Sequence, residues 1–236
     1  MKKTVFFGLN SVDLILWMVS LSVITGSFLL CSADRIGVLV VSLIGASALI
    51  FCAKGLPTGQ ILIILFALVY GWISWEFRYY GEMITYLGMS APMAVLAAVS
   101  WFRNPYEEGK QTVKVRALHK KEFWLIILLS LLVTAFFGVI LTLLSTPNLV
   151  WSIVSVFTSF LAASLTFLRS PYYALAYSAN DLVLIVLWCF ASAEDISYVP
   201  MVACFIIFLI NDIYGFANWK LMEKQQSQNR APTSVS

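Results

Sequence analysis

Two adjacent pairs, Asn180-Asp181 and Asn211-Asp212, sit inside long apolar runs. The second pair opens the string NDIYGFANW, Asn211–Trp219. An unpaired polar group in hydrocarbon costs several kcal/mol, about 2–7 depending on the reference state, so these groups must face protein or a water-filled cavity. Ionisable residues at membrane depth mark function by default. Asparagine and glutamine each donate and accept, which matches carboxamides and sugar hydroxyls. Tyrosine and tryptophan stack on flat rings, and a cationic ring gains a further ~0.5–2 kcal/mol. No lysine or arginine lies mid-run to grip a phosphate. The residue types therefore point to binding a neutral or cationic, unphosphorylated, hydroxyl-bearing molecule.

Helical spacing groups these residues into faces. Tyr173, Tyr177, Asn180, Leu184 and Trp188 fall on one stripe at 3.6 residues per turn. Asn211, Tyr214 and Asn218 form a second stripe, expected to face the first across a shared site, with Asp212, Phe216 and Trp219 beside it. Gln60, Ile64, Ala67, Gly71 and Ser74 make a small, partly polar face flanked by Trp72 and Trp75. The candidate substrate-binding residues are Asn180, Asn211, Tyr214, Asn218, Trp188, Tyr177, Tyr173, Gln60 and Trp72. Asp181 and Asp212 are structural or coupling candidates, Asp212 as a brace for a neighbouring helix. Trp75, Trp101, Trp219 and Tyr79–Tyr80 lie at run ends and read as an interfacial aromatic belt or as interhelical packing and hydrogen bonding.

The elements that must position these groups are membrane helices. The chain has 236 residues, 61% hydrophobic and 11% charged, with mean hydropathy +0.88. Soluble domains carry about 25% charged residues, so this is an integral membrane protein. A net charge of +3 gives no reason to expect nucleic acid. Eight spans are predicted: Val12–Leu30, Ile36–Ala53, Gln60–Trp75, Met83–Phe102, Phe123–Leu144, Val150–Leu168, Tyr172–Ala191 and Tyr198–Trp219. Their length fits the roughly 20 residues a helix needs, and the absence of alternation excludes barrel strands. With Lys2 and Lys3 inside, thirteen basic residues fall inside and only Arg35 and Arg78 outside, so both termini are expected in the cytoplasm. The first run is longer than a signal-peptide core and reads as a retained helix. Arg103–Glu122 reads as a solvated connector containing His119, and Lys220–Ser236 as a disordered tail. Cys31, Cys52, Cys189 and Cys204 have no metal or redox spacing, no cofactor is expected, and no phosphate-cradling glycine loop is present.

Spans two to four and six to eight share a layout. A helix ends at a basic residue (Lys54, Arg169), a proline follows (Pro57, Pro171), and a helix carries aromatics to a short acidic loop. The last helix holds a proline (Pro92, Pro200) and ends at Trp101 or Trp219. Three helices, a linking helix and three helices place both triplets in one orientation, a transporter architecture with the site at the repeat interface. The fold expected is an all-α polytopic membrane protein with eight transmembrane helices, a parallel 3+1+3 repeat and an extra N-terminal helix. The units are 1–35 outside the core, 36–104 as first repeat, 105–148 as connector and linker helix, 149–220 as second repeat, and 221–236 as tail.

LVYGWISWEFRYYGEMI, Leu68–Ile84, with the helix ending Trp101-Phe102-Arg103-Asn104, resembles the first repeat of PnuC-type vitamin B3 transporters. NDIYGFANW and the placement of Asn180 are similar to the same family's second repeat. The resemblance runs over roughly Ile36–Trp219 and leaves the first helix outside a seven-helix core. Where family members often carry tryptophans before the span-seven asparagine, this chain has Tyr173, Ala176 and Tyr177. The resemblance implies a bacterial inner-membrane carrier for nicotinamide riboside, related in fold to SWEET sugar transporters. It also implies facilitated diffusion, with a cytoplasmic riboside kinase as metabolic partner and a homo-oligomer, guessed as a trimer, in the lipid bilayer. Of the site residues, it carries Asn180, Asn211, Tyr214 and Asn218.

Other functions compete. A sugar or another vitamin could be the cargo of the same fold, and Asp181 or Asp212 could couple it to protons. An intramembrane enzyme would need a histidine or metal cluster beside its carboxylates, and a structural partner protein would need no ligand at all.

Overall fold

In the computed structural model, residues 8–31, 36–76, 80–107 and 111–229 are described. Lys2, Lys3, Arg35, Arg78, Tyr79, Lys110 and Arg230, used above for orientation and belt, lie outside them, as does the last part of the expected tail. Among the described residues, eight helical segments are long and apolar enough to cross a membrane. Apolar runs become helices there because hydrocarbon offers the backbone no partner but itself.

The order is α1 (Ser11–Cys31), α2 (Ile36–Ala53), α3 (Pro57–Glu76), α4 (Tyr80–Thr85), a π turn (Tyr86–Ser90), α5 (Ala91–Phe102), α6 (Lys120–Leu143), α7 (Leu149–Phe167), α8 (Tyr172–Glu194) and α9 (Val199–Gln228). α4, the π turn and α5 form one span, Tyr80–Phe102, which starts earlier than the sequence predicted. The prolines are helix starters. Pro57 opens α3, Pro171 is the N-cap of α8, and Pro92 and Pro200 stand in the first turns of α5 and α9, where a missing N–H costs nothing.

α9 is central, packing on α8, α2 and α1. α2 lies along α3, α8 along α7, and α5 bridges α3 and α7. α6 packs on α7 and exposes Leu125, Leu128, Leu131, Leu132, Phe136 and Leu143 to the surroundings, the surface of a helix that meets lipid.

Two expectations are corrected. The polar tail does not begin at Lys220 or 221, because α9 continues to Gln228 with Gln226 buried. The connector is not simply solvated. Val113 and Val115 are buried, and Gln226 clamps the strand between them: its Nε2 donates to Val113 O at 3.0 Å, and Val115 N donates to its Oε1 at 2.8 Å. The sequence showed neither because both segments are polar in composition and acquire burial only from each other. His119 does lie exposed, as the residue preceding α6, its N–H donating to Glu122 Oε2 at 3.2 Å.

Candidate functional site

The basic end of the bundle is closed by a matched set of bonds. After α2, Gly55 N donates to Cys52 O, Leu56 N to Phe51 O and Gly59 N to Leu56 O. After α7, Arg169 N donates to Thr166 O, Ser170 N to Leu165 O and Tyr173 N to Ser170 O, the same three bonds residue for residue. Gly55 and Arg169 occupy the same place with positive φ, 66° and 58°. The last helix of each triplet then reaches across to the other. Ser100 Oγ and Trp101 Nε1 of α5 donate to Phe167 O and Thr166 O of α7 at 2.7 and 2.8 Å. Asn218 Nδ2 and Trp219 Nε1 of α9 donate to Ala53 O and Cys52 O of α2 at 3.0 and 2.8 Å.

Of the two readings, belt or interhelical packing, Trp101 and Trp219 therefore follow the second. Both are fully buried, their rings 5.2 Å apart, with Tyr173 4.9 Å from Trp219 and 6.3 Å from Trp101. Their position at run ends looked interfacial because the sequence does not show the connector laid over them. Val113 N donates to Gly55 O and Arg116 N to Arg169 O, so the connector caps both turns. Arg169 adds Nη1 to Ser100 Oγ at 2.7 Å; burial, then the neighbouring Arg116, hold this guanidinium below its ordinary pKa.

Above this aromatic layer lies a cavity of about 170 Å³, running from Cys52, Gln60 and Tyr173 to Gly81, Thr146 and Ser152 at the far end. Five predicted binding residues line it: Gln60, Tyr173, Tyr177, Asn180 and Trp188. Both aspartates line it too, Asp181 from α8 and Asp212 from α9. Asn180 is fixed by α7, whose Thr158, Ser159 and Ser155 hydroxyls donate to its Oδ1 at 2.8, 3.0 and 3.3 Å. With Oδ1 so occupied, Nδ2 remains as the donor of this cavity-lining residue. Gln60 Nε2 donates to Cys52 Sγ at 3.2 Å, leaving Oε1 as its acceptor.

Four predicted residues are not brought to the cavity. Asn211 Nδ2 donates to Ser20 Oγ of α1 at 3.2 Å, and the Tyr214 hydroxyl donates to Asp13 Oδ1, also on α1. Asn218 holds Ala53 O, and Trp72 is 66% exposed on the outside of α3. The two α9 stripes are thus exchanged: the Asp212 side faces the cavity and the asparagine side braces other helices. One residue is a turn of 100° on a helix, and α9 is covered by protein on both sides, so period alone could not choose between them.

Sequence reasoning also missed Glu82, Tyr70, Tyr86, Phe66 and Phe208 as cavity wall. Tyr70 Oη donates to Glu82 at 2.8 Å, and the Tyr70 and Tyr86 rings lie 4.4 Å apart. A turn-to-turn count places Phe66 and Tyr70 on one face of α3, and that signal was available. Glu82 read as part of an outer loop, and only the early start of α4 puts it on the wall.

Among the described residues, no lysine, arginine or histidine lines the cavity, whereas Glu82, Asp181 and Asp212 do. Among the described residues there is no group of His, Cys, Asp and Glu arranged to hold a metal. An eight-span helical bundle with an aromatic and amide-lined cavity defines a multi-pass membrane protein of the carrier class. The profile of the nicotinamide mononucleotide transporter family matches residues 36–221, and the chain belongs to that family. The nicotinamide riboside transporter PnuC of Neisseria mucosa is 24% identical over 192 residues, 80% of this chain and 73% of that one. A crystal structure of the vitamin B3 transporter PnuC has the same fold, with a TM-score of 0.79 at 22% identity over 95% of this chain and 97% of that one. This coverage is too wide to leave out α1, so the first helix is part of the shared fold although the family profile begins at residue 36. By family the chain is a PnuC-type transporter and not an enzyme.

Proposed function

We propose that this protein imports nicotinamide riboside across a bacterial inner membrane, moving it down its gradient by alternating access. The observation that carries the reading is the cavity wall: aromatic rings, two oriented amides and three carboxylates, with no basic side chain among the described residues. A pyridinium stacks on Trp188, Tyr177 or the Tyr70–Tyr86 pair and is attracted by their faces. The Asn180 amide nitrogen suits the oxygen of a carboxamide, and Gln60 Oε1 suits its N–H, so the two amides read both ends of one group. A phosphate would meet three carboxylates and no cation among the described residues, which favours the riboside over the mononucleotide of the family's name. The relatives named as nicotinamide riboside and vitamin B3 transporters support this choice.

The matched turns and reciprocal Trp101 and Trp219 bonds support a parallel 3+1+3 repeat, with 36–104 and 149–220 as the moving halves and α6 as linker. The basic residues gathered at Lys54, Arg103, Arg116, Lys120 and Arg169 support a cytoplasmic placement of that end and of both termini. The bundle is then sealed inside by the tryptophan layer, and a cytoplasmic riboside kinase keeps the gradient inward. Titration calorimetry of the purified protein tests the reading. Nicotinamide riboside is expected to bind at least tenfold more tightly than its mononucleotide, and nicotinamide to bind weakly. Equal or tighter binding of the mononucleotide would sink it.

A further inference from the structure

Asp181 on α8 and Asp212 on α9 are two buried carboxyls of the cavity wall. Each is 4% exposed, each lines the cavity, and their carboxyls face one another at hydrogen-bonding range. No third side chain donates to Asp181 Oδ2, which is buried without a partner. Among titratable neighbours, Tyr86, Tyr177 and Cys204 face Asp181, and Cys52, Tyr173 and Tyr177 face Asp212. α7 presents only hydroxyls to this region, and α1 keeps its Asp13 on the far side of α9, paired with Lys54 at 3.1 Å. Glu82 already has Tyr70 as donor. Among the described residues, no cation is paired with either carboxyl, and Asp181 Oδ2 has no donor. Two like charges in contact in a low dielectric cannot both ionise.

We propose that Asp181 and Asp212 hold one proton between them in the empty cavity and release it when a monocation enters. The acid O–H bond breaks, the proton passes to water or buffer, and the organic cation takes its place as counter-charge. The charge inside the cavity is unchanged. This inference rests on the cationic-cargo reading above and makes the acid pair its charge selector.

The test is calorimetry of the wild-type protein in detergent, in two buffers of different ionisation enthalpy, at pH 6 and pH 7. The probes are nicotinamide riboside, its uncharged dihydro form and 1-methylnicotinamide. The expected result is release of about one proton per riboside bound and a roughly tenfold gain in affinity from pH 6 to pH 7, with neither effect for the dihydro form. Asp212→Asn, which cannot share a proton in this way, is expected to abolish both effects. Riboside binding with no buffer dependence and no pH slope would overturn the proposal and leave the substrate reading standing. Proton-releasing binding of 1-methylnicotinamide with no riboside binding would retire the substrate and keep the pair. Failure of both cations to bind folded protein would overturn both.

Discussion

The two triplets are alike at one end and unlike in the middle. At the basic end they repeat each other bond for bond, from the Gly55 and Arg169 turns to the crossed indoles of Trp101 and Trp219. Along the cavity they diverge. α3 contributes Phe66 and Tyr70 with one amide, Gln60, whereas α8 contributes Asn180, Asp181 and Trp188. The last helices differ as well: Asp212 stands on α9, and a π turn interrupts the span of α5. On the alternating-access reading proposed above, a hinge must fit both halves equally, whereas a ligand with a distinct ring, amide and sugar is not symmetric. On that reading the duplicated part is what the halves do to each other, and the divergent part is what they do to a ligand.

The strongest test breaks the matched part. Trp101→Ala and Trp219→Ala each remove a fully buried indole and strand a carbonyl, and each is expected to cost about 3–5 kcal/mol. Thermal unfolding in detergent should show similar losses for the two. A large loss for only one would mean that the crossed bonds are not equivalent and would undo the comparison. Next comes the divergent part. Asn180→Ala removes an amide held by three hydroxyls and is expected to weaken riboside binding about 10–100-fold, with far less effect on unfolding than either tryptophan. Phe66→Leu on the other wall should change affinity less than Asn180→Ala. The reverse order, measured by calorimetry, would move the recognition to α3.

Much of this was legible before any coordinates. The eight spans follow from apolar run length, and the α8 stripe through Tyr173, Tyr177, Asn180 and Trp188 follows from period, because α8 turns one polar face inward. The α9 residues were not legible. Asn211 and Asp212 are adjacent and equally polar, and their fates are set by which neighbours α9 touches, a fact of tertiary packing. The connector was illegible for a related reason. Val113 and Val115 are too few to signal burial, and the partners of the backbone at 113–116, the Gln226 side chain, Gly55 O and Arg169 O, are distant in sequence.

The strap over the matched turns gives a smaller effect. Gln226→Ala leaves Val115 N and Val113 O without their partners, which is expected to cost about 1–3 kcal/mol, visible as a lower unfolding midpoint. Gly55→Ala puts a side chain at φ 66° with its Cβ 2.7 Å from Met222 Cε and 3.2 Å from Val113 Cγ1, at a cost of about 1–2 kcal/mol. Arg169 tolerates the same φ as a non-glycine because its side chain is bonded to Ser100 and to Lys114 O. No closed strap should be needed for the two turns to form.

The smallest effect separates the two faces of α9 most cleanly. Asn211→Ala removes a buried bond to Ser20 on α1, worth about 0.5–1.5 kcal/mol, and should shift unfolding by that much. Riboside affinity should stay within about twofold of wild type, because Asn211 points away from the cavity toward α1. Asp212→Asn, one residue along, should change the pH dependence of binding. If Asn211→Ala instead costs tenfold in affinity at unchanged stability, α9 is rotated during binding from the face it presents here, and the division between bracing and binding residues fails at its closest pair.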